Sequence, residues 1–186
     1  RMVPVQTPEM QDGDSLRVCV EEYGFLPVDK NAFVGQPPAI AGMEPRAPFD
    51  FFIRRKLFLH NMGHAACAYL GLYAGREYVW QSIEDADTRL ICLSAMVESA
   101  VALATAYGED IGGLAAHAFD LIARFGNRAL GDTCARVGAD TARKLAPADR
   151  LIGAARLCLQ QGVTPAAIAL GAAAGLHRHL KESDGA

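Results

Sequence analysis

Residues 55–71 read RKLFLHNMGHAACAYLG, and this stretch decides the fold because its apolar residues recur at helical spacing. At about 100° per residue they form one face of a helix: Phe58, Met62, Ala65 and Tyr69. Taking Lys56 as the origin, His60, His64 and Asn61 lie at about 40°, 80° and 140° on the other side. A solvated helix face would have this pattern, and so would a site that presents an amine, an amide and two imidazoles.

The lysine at position 56 is a distinctive choice in this chain. The sequence has 14 Arg and 4 Lys, and Lys56 directly follows Arg54 and Arg55. A guanidinium keeps its proton, whereas burial or a neighbouring cation can bring an amine of reference pKa about 10.4 toward neutrality. Lys56 is therefore a candidate general base in a position where Arg could not serve.

Helical signals extend outward from this stretch to the end of the chain. They predict five or six helices: Asp50 to about Ala74, Asp85 or Asp87 to just before Gly108, one through Ala115 to Phe125, one with Pro147 in its first turn and its end near Gly162, and one starting at Thr164–Pro165. Gly171 and Gly175 indicate close helix packing, and Glu98 is expected to face a polar seam. The predicted fold class is mainly α, a multi-helix bundle.

Residues 1–48 have a different composition, rich in Pro, Val and Gly. The alternation in residues 17–23, RVCVEEY, is typical of a strand. Four prolines then interrupt regular structure: Pro37, Pro38, Pro45 and Pro48. The sequence therefore predicts a short extended or β segment at residues 1–48, which precedes a helical domain at residues 49–186.

The composition is that of an ordinary globular protein, with 51% hydrophobic and 21% charged residues among 186. A net charge of -3 and the lack of a basic run interleaved with aromatics argue against nucleic acid and anionic membranes as partners. No segment is expected to have the length and apolarity of a membrane span. Five cysteines without a CxxC pair or a secretory signal indicate buried, reduced thiols in a cytoplasmic protein. Nothing in the sequence indicates an oligomeric state.

Three polar residues of the quoted stretch fall in the order Lys-Leu-Xaa-Xaa-Xaa-Asn-Xaa-Xaa-His, with Lys56, Asn61 and His64 at its fixed positions. This pattern resembles the signature of the polyol-specific long-chain dehydrogenases, and the surrounding residues resemble their mannitol-1-phosphate 5-dehydrogenase branch. Residues 124–153, RFGNRALGDTCARVGADTARKLAPADRLIG, are similar to that branch too, as are the opening RMVPVQ and residues 18–35. The resemblance fades after about Gly162.

The resemblance implies an NAD-dependent oxidoreductase that interconverts D-mannitol 1-phosphate and fructose 6-phosphate without a metal. It implies Lys56 as the general base, Asn61 as the donor to the reacting oxygen and His64 as the ligand of a neighbouring hydroxyl. It also implies a bundle like the C-terminal domain of 6-phosphogluconate dehydrogenase, with NAD bound mainly by a preceding domain. Since the chain has no GxGxxG pattern and starts at Arg1, we expect a fragment that is inactive alone.

The spacing within the motif limits what one substrate carbon can touch. On an ideal helix Lys56 and His64 lie about 12 Å apart along the axis. We therefore expect His64 to hold a more distant hydroxyl, unless the lysine reaches back or Gly63 disturbs the helix.

A second group of basic residues surrounds Pro147: Arg136, Arg143, Lys144 and Arg150. Surface charge partly paired with Asp140 and Asp149 would explain this group. The resemblance implies instead that the segment lies across the substrate site. On that interpretation Arg143, Lys144 and Arg150 bind the substrate phosphate, and Arg136 reaches a hydroxyl near the reacting end.

Three alternatives compete with the interpretation as a sugar-phosphate dehydrogenase: another substrate, a metal-binding module and an interaction domain. The substrate could be free mannitol, or a sugar acid as in the fructuronate and tagaturonate reductases that share the lysine motif. His60 and His64 could ligate zinc in a metal-binding helical module, although Asn61 replaces the acidic residue of HExxH and no cysteine pair completes the site. A helical interaction domain without catalytic chemistry is the third.

Overall fold

The computed structural model describes residues 3–4, 6–21 and 24–184, and the chain divides into two compact units. The first comprises Arg1–Ile53 with Ala129–Gly131, and the second comprises Arg54–Arg128 with Asp132–Ala186. Helices dominate, and a short two-stranded sheet precedes most of them. The predicted mainly α fold with a short extended segment is confirmed.

The first unit contains short elements: helix α1 (Pro8–Gln11), strands β1 (Leu26–Asp29) and β2 (Met43–Arg46), and the start of helix α2 (Asp50–Arg55). The strands pair in parallel, with Leu26 opposite Met43. A cluster of rings surrounds Phe52, whose centroid lies 6.4, 5.7 and 5.1 Å from those of Phe25, Phe49 and Phe51. These aromatic contacts supply apolar packing to a unit with little regular structure.

The strand predicted at residues 17–23 is not formed in its described part. Residues 17–21 have no regular structure, and residues 22 and 23 lie outside the described part of the chain. The reason is a side chain that takes the place of a partner strand. Gln6 accepts from the N–H of Cys19 at 2.7 Å and donates to the carbonyl of Cys19 at 3.0 Å. Backbone groups whose hydrogen bonds are made by a side chain need no neighbouring strand.

The second unit is a bundle of helices around one central helix. Its helices are α3 (Met62–Tyr73), α4 (Val79–Glu84), α5 (Ala86–Tyr107), α6 (Ile111–Phe125), α7 (Cys134–Gly138), α8 (Thr141–Lys144), α9 (Arg150–Gln160) and α10 (Ala166–Asp184). Most residues of α3 are buried, and it packs against α5, α7 and α10. A helix that is apolar nearly all round belongs at the centre of a bundle. The part of the first-quoted stretch that lies in α3 therefore belongs to the core.

Close packing of α10 on α3 depends on two glycines. A Cβ on Gly171 would lie 2.8 Å from the Cβ of Ala66, and a Cβ on Gly175 would lie 3.0 Å from the Tyr69 ring. Both separations are shorter than optimal contact between carbon atoms. The predicted packing role of these glycines is confirmed.

The ends of the helices follow local capping signals. Asp85 caps the start of α5, and Gly108, with a φ of 67°, follows its end. The helix predicted to have Pro147 in its first turn begins at Arg150 instead. Asp149 is the reason, because its side chain accepts from the first N–H of α9 and so defines the start.

Four of the five cysteines lie in the core: Cys67, Cys92, Cys134 and Cys158. Burial, helped by the nearby Glu98 charge, raises the pKa of Cys158 to about 11. Its thiol therefore stays protonated at neutral pH. The prediction of buried thiols is confirmed for these four residues.

Helix α5 is the most apolar long helix of the bundle. Among the described residues, α5 has the length and the apolar composition of a helix that could cross a membrane. The prediction that no segment approaches a membrane span is therefore wrong for these two properties. In the fold, α5 packs against α3, α6 and α10, and residues along it are buried. A core helix of a globular bundle meets the same two criteria.

Glu98 of α5 caps the last helix from the side. Its carboxylate oxygens accept hydrogen bonds from the N–H groups of Ala167 and Ile168, at 2.8 and 3.0 Å. The N–H groups of a first turn have no partner within the helix, and a negative charge there also meets the positive end of the helix dipole. The polar seam predicted for Glu98 is therefore a helix cap.

We expect Glu98→Ala to lower the free energy of unfolding by about 1–2 kcal/mol, because two buried N–H donors lose their acceptor. Glu98→Gln keeps one carbonyl oxygen and should lose less. Urea unfolding of the three proteins, followed by circular dichroism, measures both differences. An alanine variant as stable as the wild type would show that Glu98 does not support α10.

Candidate active site

A π-helix, Lys56–Asn61, joins α2 to α3 and carries two of the three predicted catalytic residues. Its hydrogen bonds span five residues, as in the bond from the N–H of Met62 to the carbonyl of Leu57. Residues i and i+5 then take the neighbouring positions that i and i+4 have in an α-helix, so Lys56 and Asn61 share a face. The helix is therefore disturbed before Gly63, and the disturbance gives Lys56 and Asn61 one face.

A buried serine supports the π-helix. The hydroxyl of Ser99, on α5, donates to the carbonyl of Phe58 at 2.7 Å. This side chain enters the backbone ladder and gives a carbonyl of the widened turn a hydrogen-bond donor from another helix. Phe58 and Leu59 are both buried, so the segment is anchored in the core on one side and presents Lys56 on the other.

The amine of Lys56 lies in a positively charged environment. Although Lys56 is exposed by residue surface area, partial burial of its amine lowers its pKa, and the charges of Arg124 and Arg150 lower that pKa further. Each effect disfavours the ammonium form. The predicted base therefore has more neutral amine at a given pH than an ordinary lysine.

We expect Arg124→Gln to raise the pKa of Lys56, because it removes one of the two cations that disfavour the ammonium form. An NMR titration of the Lys56 side chain, assigned from its absence in Lys56→Met, measures the change. Arg128→Gln is the control, since Arg128 is exposed and pairs with Glu84. A Lys56 pKa that is the same in Arg124→Gln and in the wild type would contradict this role of Arg124.

Two histidines of the same region are neutral. Burial, followed by the charge of Lys56, lowers the pKa of His60 to about 2. Burial, followed by the charge of Arg55, lowers the pKa of His117 to about 4. At neutral pH these imidazoles therefore add hydrogen-bonding groups to the region without adding positive charge.

His64 is held by two contacts with distant segments. Its ring stacks on Phe125, with centroids 4.8 Å apart and planes at 15°. Its Nε2 lies 3.3 Å from an oxygen of Asp132, whose carboxylate also pairs with Arg136. The ring of Phe125 meets His60 as well, at 5.9 Å. Neither Phe125 nor Asp132 is among the site residues predicted from the sequence.

Among the basic residues around Pro147, Arg150 and Arg143 have different environments. Arg150 is largely buried, pairs with Asp149 at 2.8 Å and contributes to the lowered pKa of Lys56. Arg143 is exposed and pairs with Asp149 at 3.2 Å and with Asp140. The charge of Arg150 thus acts on the pKa of Lys56, whereas Arg143 forms the paired surface charge of the simpler interpretation.

Arg136 and Lys144 are engaged with protein partners. Arg136 pairs with Asp132. Lys144 is buried, and its amine donates to the carbonyl of Val137 at 2.8 Å and to that of Ala139. These carbonyls lie at the end of α7, where backbone acceptors have no partner within the helix. In this arrangement both side chains hold the segment that carries Asp132.

A comparison of sequences decides the family of this bundle. Residues 49–186 match the family model of the mannitol dehydrogenase C-terminal domain. The chain belongs to this family. It is also similar to the mannitol-1-phosphate 5-dehydrogenase of Caldanaerobacter subterraneus subsp. tengcongensis, with 41% identity over 165 residues that cover 89% of this chain and 42% of that protein. The chain thus spans less than half the length of this relative, and the resemblance read from the sequence is confirmed at the level of the family.

In this mannitol dehydrogenase C-terminal domain, His60 and His64 lack the further ligands of a metal site among the described residues. Among residues 3–4, 6–21 and 24–184, no group of three or more His, Cys, Asp or Glu side chains could hold a metal ion. The rings of His60 and His64 lie 6.3 Å apart at 71°, and both contact Phe125. They pack against an aromatic ring, and the zinc alternative lacks a third ligand within the described residues.

Proposed function

We propose that this chain is the substrate-binding domain of an NAD-dependent polyol dehydrogenase that interconverts D-mannitol 1-phosphate and fructose 6-phosphate in the cytoplasm. Residues 49–186 form that domain, and residues 1–48 belong to the end of the cofactor-binding domain. The observation that carries the proposal is Lys56, an amine of lowered pKa on the same face as Asn61 in a domain of this family. The name of the similar enzyme, a mannitol-1-phosphate 5-dehydrogenase, supports the choice of a sugar phosphate.

Lys56 is the general base of this reaction. A neutral amine can take the proton of a secondary hydroxyl, which an ammonium cannot do. Asn61 donates its amide N–H to the same oxygen, on which negative charge develops as the alcohol is oxidised. Because the π-helix gives both side chains one face, a single C–O group can meet both. His64 binds a neighbouring hydroxyl, and in the reverse reaction Lys56 returns the proton.

Arg150 binds the phosphate of the substrate. It is the member of the predicted basic group whose charge acts on Lys56, and a forked guanidinium matches phosphate oxygens. Arg136, Arg143 and Lys144 add positive charge that attracts an anionic substrate. A phosphate ligand in Arg150 and further positive charge nearby favour a phosphorylated sugar over free mannitol as the substrate.

The residues of this chain do not fit a dinucleotide. None of the 18 glycines falls in a GxGxxG pattern, so the turn that cradles a pyrophosphate is absent from the sequence. Hydride transfer belongs to NAD held by the remainder of the enzyme. The domain described here handles the alcohol and its proton, and we expect it to be inactive alone.

The test uses the complete enzyme, meaning this chain together with the part that binds NAD. We expect NADH oxidation with fructose 6-phosphate to exceed that with fructose or fructuronate by about 100-fold or more in kcat/KM, because neither of these substrates carries the phosphate that Arg150 binds. Faster turnover of fructose or fructuronate would assign the domain to a mannitol 2-dehydrogenase or a sugar-acid reductase. No turnover of any of them would overturn the dehydrogenase proposal and favour a helical interaction domain.

A further inference from the structure

Two backbone hydrogen bonds fix the loop that precedes α7. The N–H of Val79 donates to the carbonyl of Asp132 at 3.0 Å, and the N–H of Cys134 donates to the carbonyl of Glu77 at 2.8 Å. Together they form an isolated antiparallel bridge between this loop and the start of α4. A backbone paired on both sides of residue 133 has little freedom to move. The side chain of Asp132 therefore starts from a fixed position.

The carboxylate of Asp132 has two partners and little water around it. Its side chain is 11% exposed, one oxygen lies 3.3 Å from Nε2 of His64, and the other pairs with Arg136. Burial raises the pKa of Asp132, but the contact with His64 and the charge of Arg136 outweigh burial and lower the pKa overall. The group remains a carboxylate at neutral pH, and a carboxylate only accepts hydrogen bonds.

The imidazole of His64 is held against this carboxylate. Its side chain is 19% exposed, and the ring lies flat on Phe125. In a neutral imidazole one nitrogen carries the proton and the other has a free lone pair. Since Nε2 faces an acceptor, the proton belongs on Nε2 and the lone pair on Nδ1.

We propose that Asp132 is a positioning residue for the dehydrogenase reaction: it selects the Nε2–H tautomer of His64, so that Nδ1 accepts a hydrogen bond from a substrate hydroxyl. The proposal deepens the proposed function and rests on His64 as a hydroxyl ligand. Arg136 acts in this arrangement through Asp132, by holding its second oxygen. The substrate hydroxyl therefore donates its hydrogen to Nδ1 of His64, and a ligand group that can only accept hydrogen bonds is disfavoured at that position.

A double-mutant cycle in the complete enzyme tests the coupling. We expect Asp132→Asn to lower kcat/KM for fructose 6-phosphate by about 10- to 100-fold, as for other residues that orient a ligating histidine. In the His64→Ala background the same change should cost less than about twofold, because Asp132 acts through His64. Glu84→Gln is the matched control, another carboxylate paired with an arginine, and should leave kcat/KM unchanged. Equal losses in both backgrounds, or no loss in Asp132→Asn, would overturn the proposal.

A second measurement does not depend on activity. NMR of the imidazole nitrogens in the wild-type complete enzyme, with His64 assigned from its absence in His64→Ala, should show the proton on Nε2. Asp132→Asn should shift the population toward the other tautomer. A wild-type Nδ1–H tautomer, or an unchanged tautomer in Asp132→Asn, would overturn the proposal even in an active enzyme. If no substrate is turned over, the proposed function fails, while this measurement still decides whether Asp132 sets the tautomer.

Discussion

Lys56→Met in the complete enzyme should lower kcat/KM for the oxidation of D-mannitol 1-phosphate by about 100- to 10,000-fold. Methionine has a similar length but cannot accept a proton, so the alcohol loses its general base. Lys181→Met, at an exposed lysine of α10, is the matched control and should leave the rate unchanged. Steady-state kinetics of the three proteins measure the difference. Equal rates for Lys56→Met and the wild type would exclude Lys56 as the base.

The same pair of proteins should differ in pH dependence. Oxidation needs the neutral amine, so the wild-type rate should rise with pH until Lys56 is deprotonated. Burial and two neighbouring cations lower the pKa of Lys56, and the rise should therefore be complete at lower pH than for an ordinary lysine. The residual rate of Lys56→Met should lack this rise. A variant that keeps the wild-type profile would assign the titration to another group.

Phe125→Ala should lower the free energy of unfolding by about 3–5 kcal/mol. Phe125 is 2% exposed, so truncation leaves a cavity beside His60 and His64. Phe119 lies on the same helix and is 58% exposed, so Phe119→Ala should change stability by less than about 0.5 kcal/mol. Urea unfolding of this chain, followed by circular dichroism, compares the two. Similar losses at both positions would contradict a core role for Phe125.

Much of the bundle is predictable because its signals are local. The cap at Asp85 and the glycine at position 108 bound α5 as expected. The π-helix is not predictable in this way, since a hydrogen bond that supports it comes from Ser99, on another helix. The strand expected at residues 17–23 was wrong in its described part for the same kind of reason, because Gln6 bonds that segment from a distance in sequence.

The candidate site also combines residues with local signals and residues that come from distant parts of the chain. Lys56, Asn61 and His64 stand within one helical segment, so their spacing alone could suggest them. Phe125 and Asp132 reach His64 from other elements, and spacing along the chain does not encode such contacts. Both lie in the stretch 124–153 that resembles the family. Resemblance aligns residues but gives no distances, and those came from the fold.

The π-helix sets the angle around the helix axis between the Lys56 side chain and the side chains of α3. A turn closed over five residues holds one residue more than an α-helical turn closed over four. If the same residues closed as α-helical turns, the Lys56 amine would swing by about 100° around the helix axis, away from Asn61. Deletion of one residue between Lys56 and Asn61 would instead leave an α-helix in which the two remain neighbours at i and i+4. The direction of the proposed general base is therefore set by the number of residues in this turn together with the spacing of its hydrogen bonds.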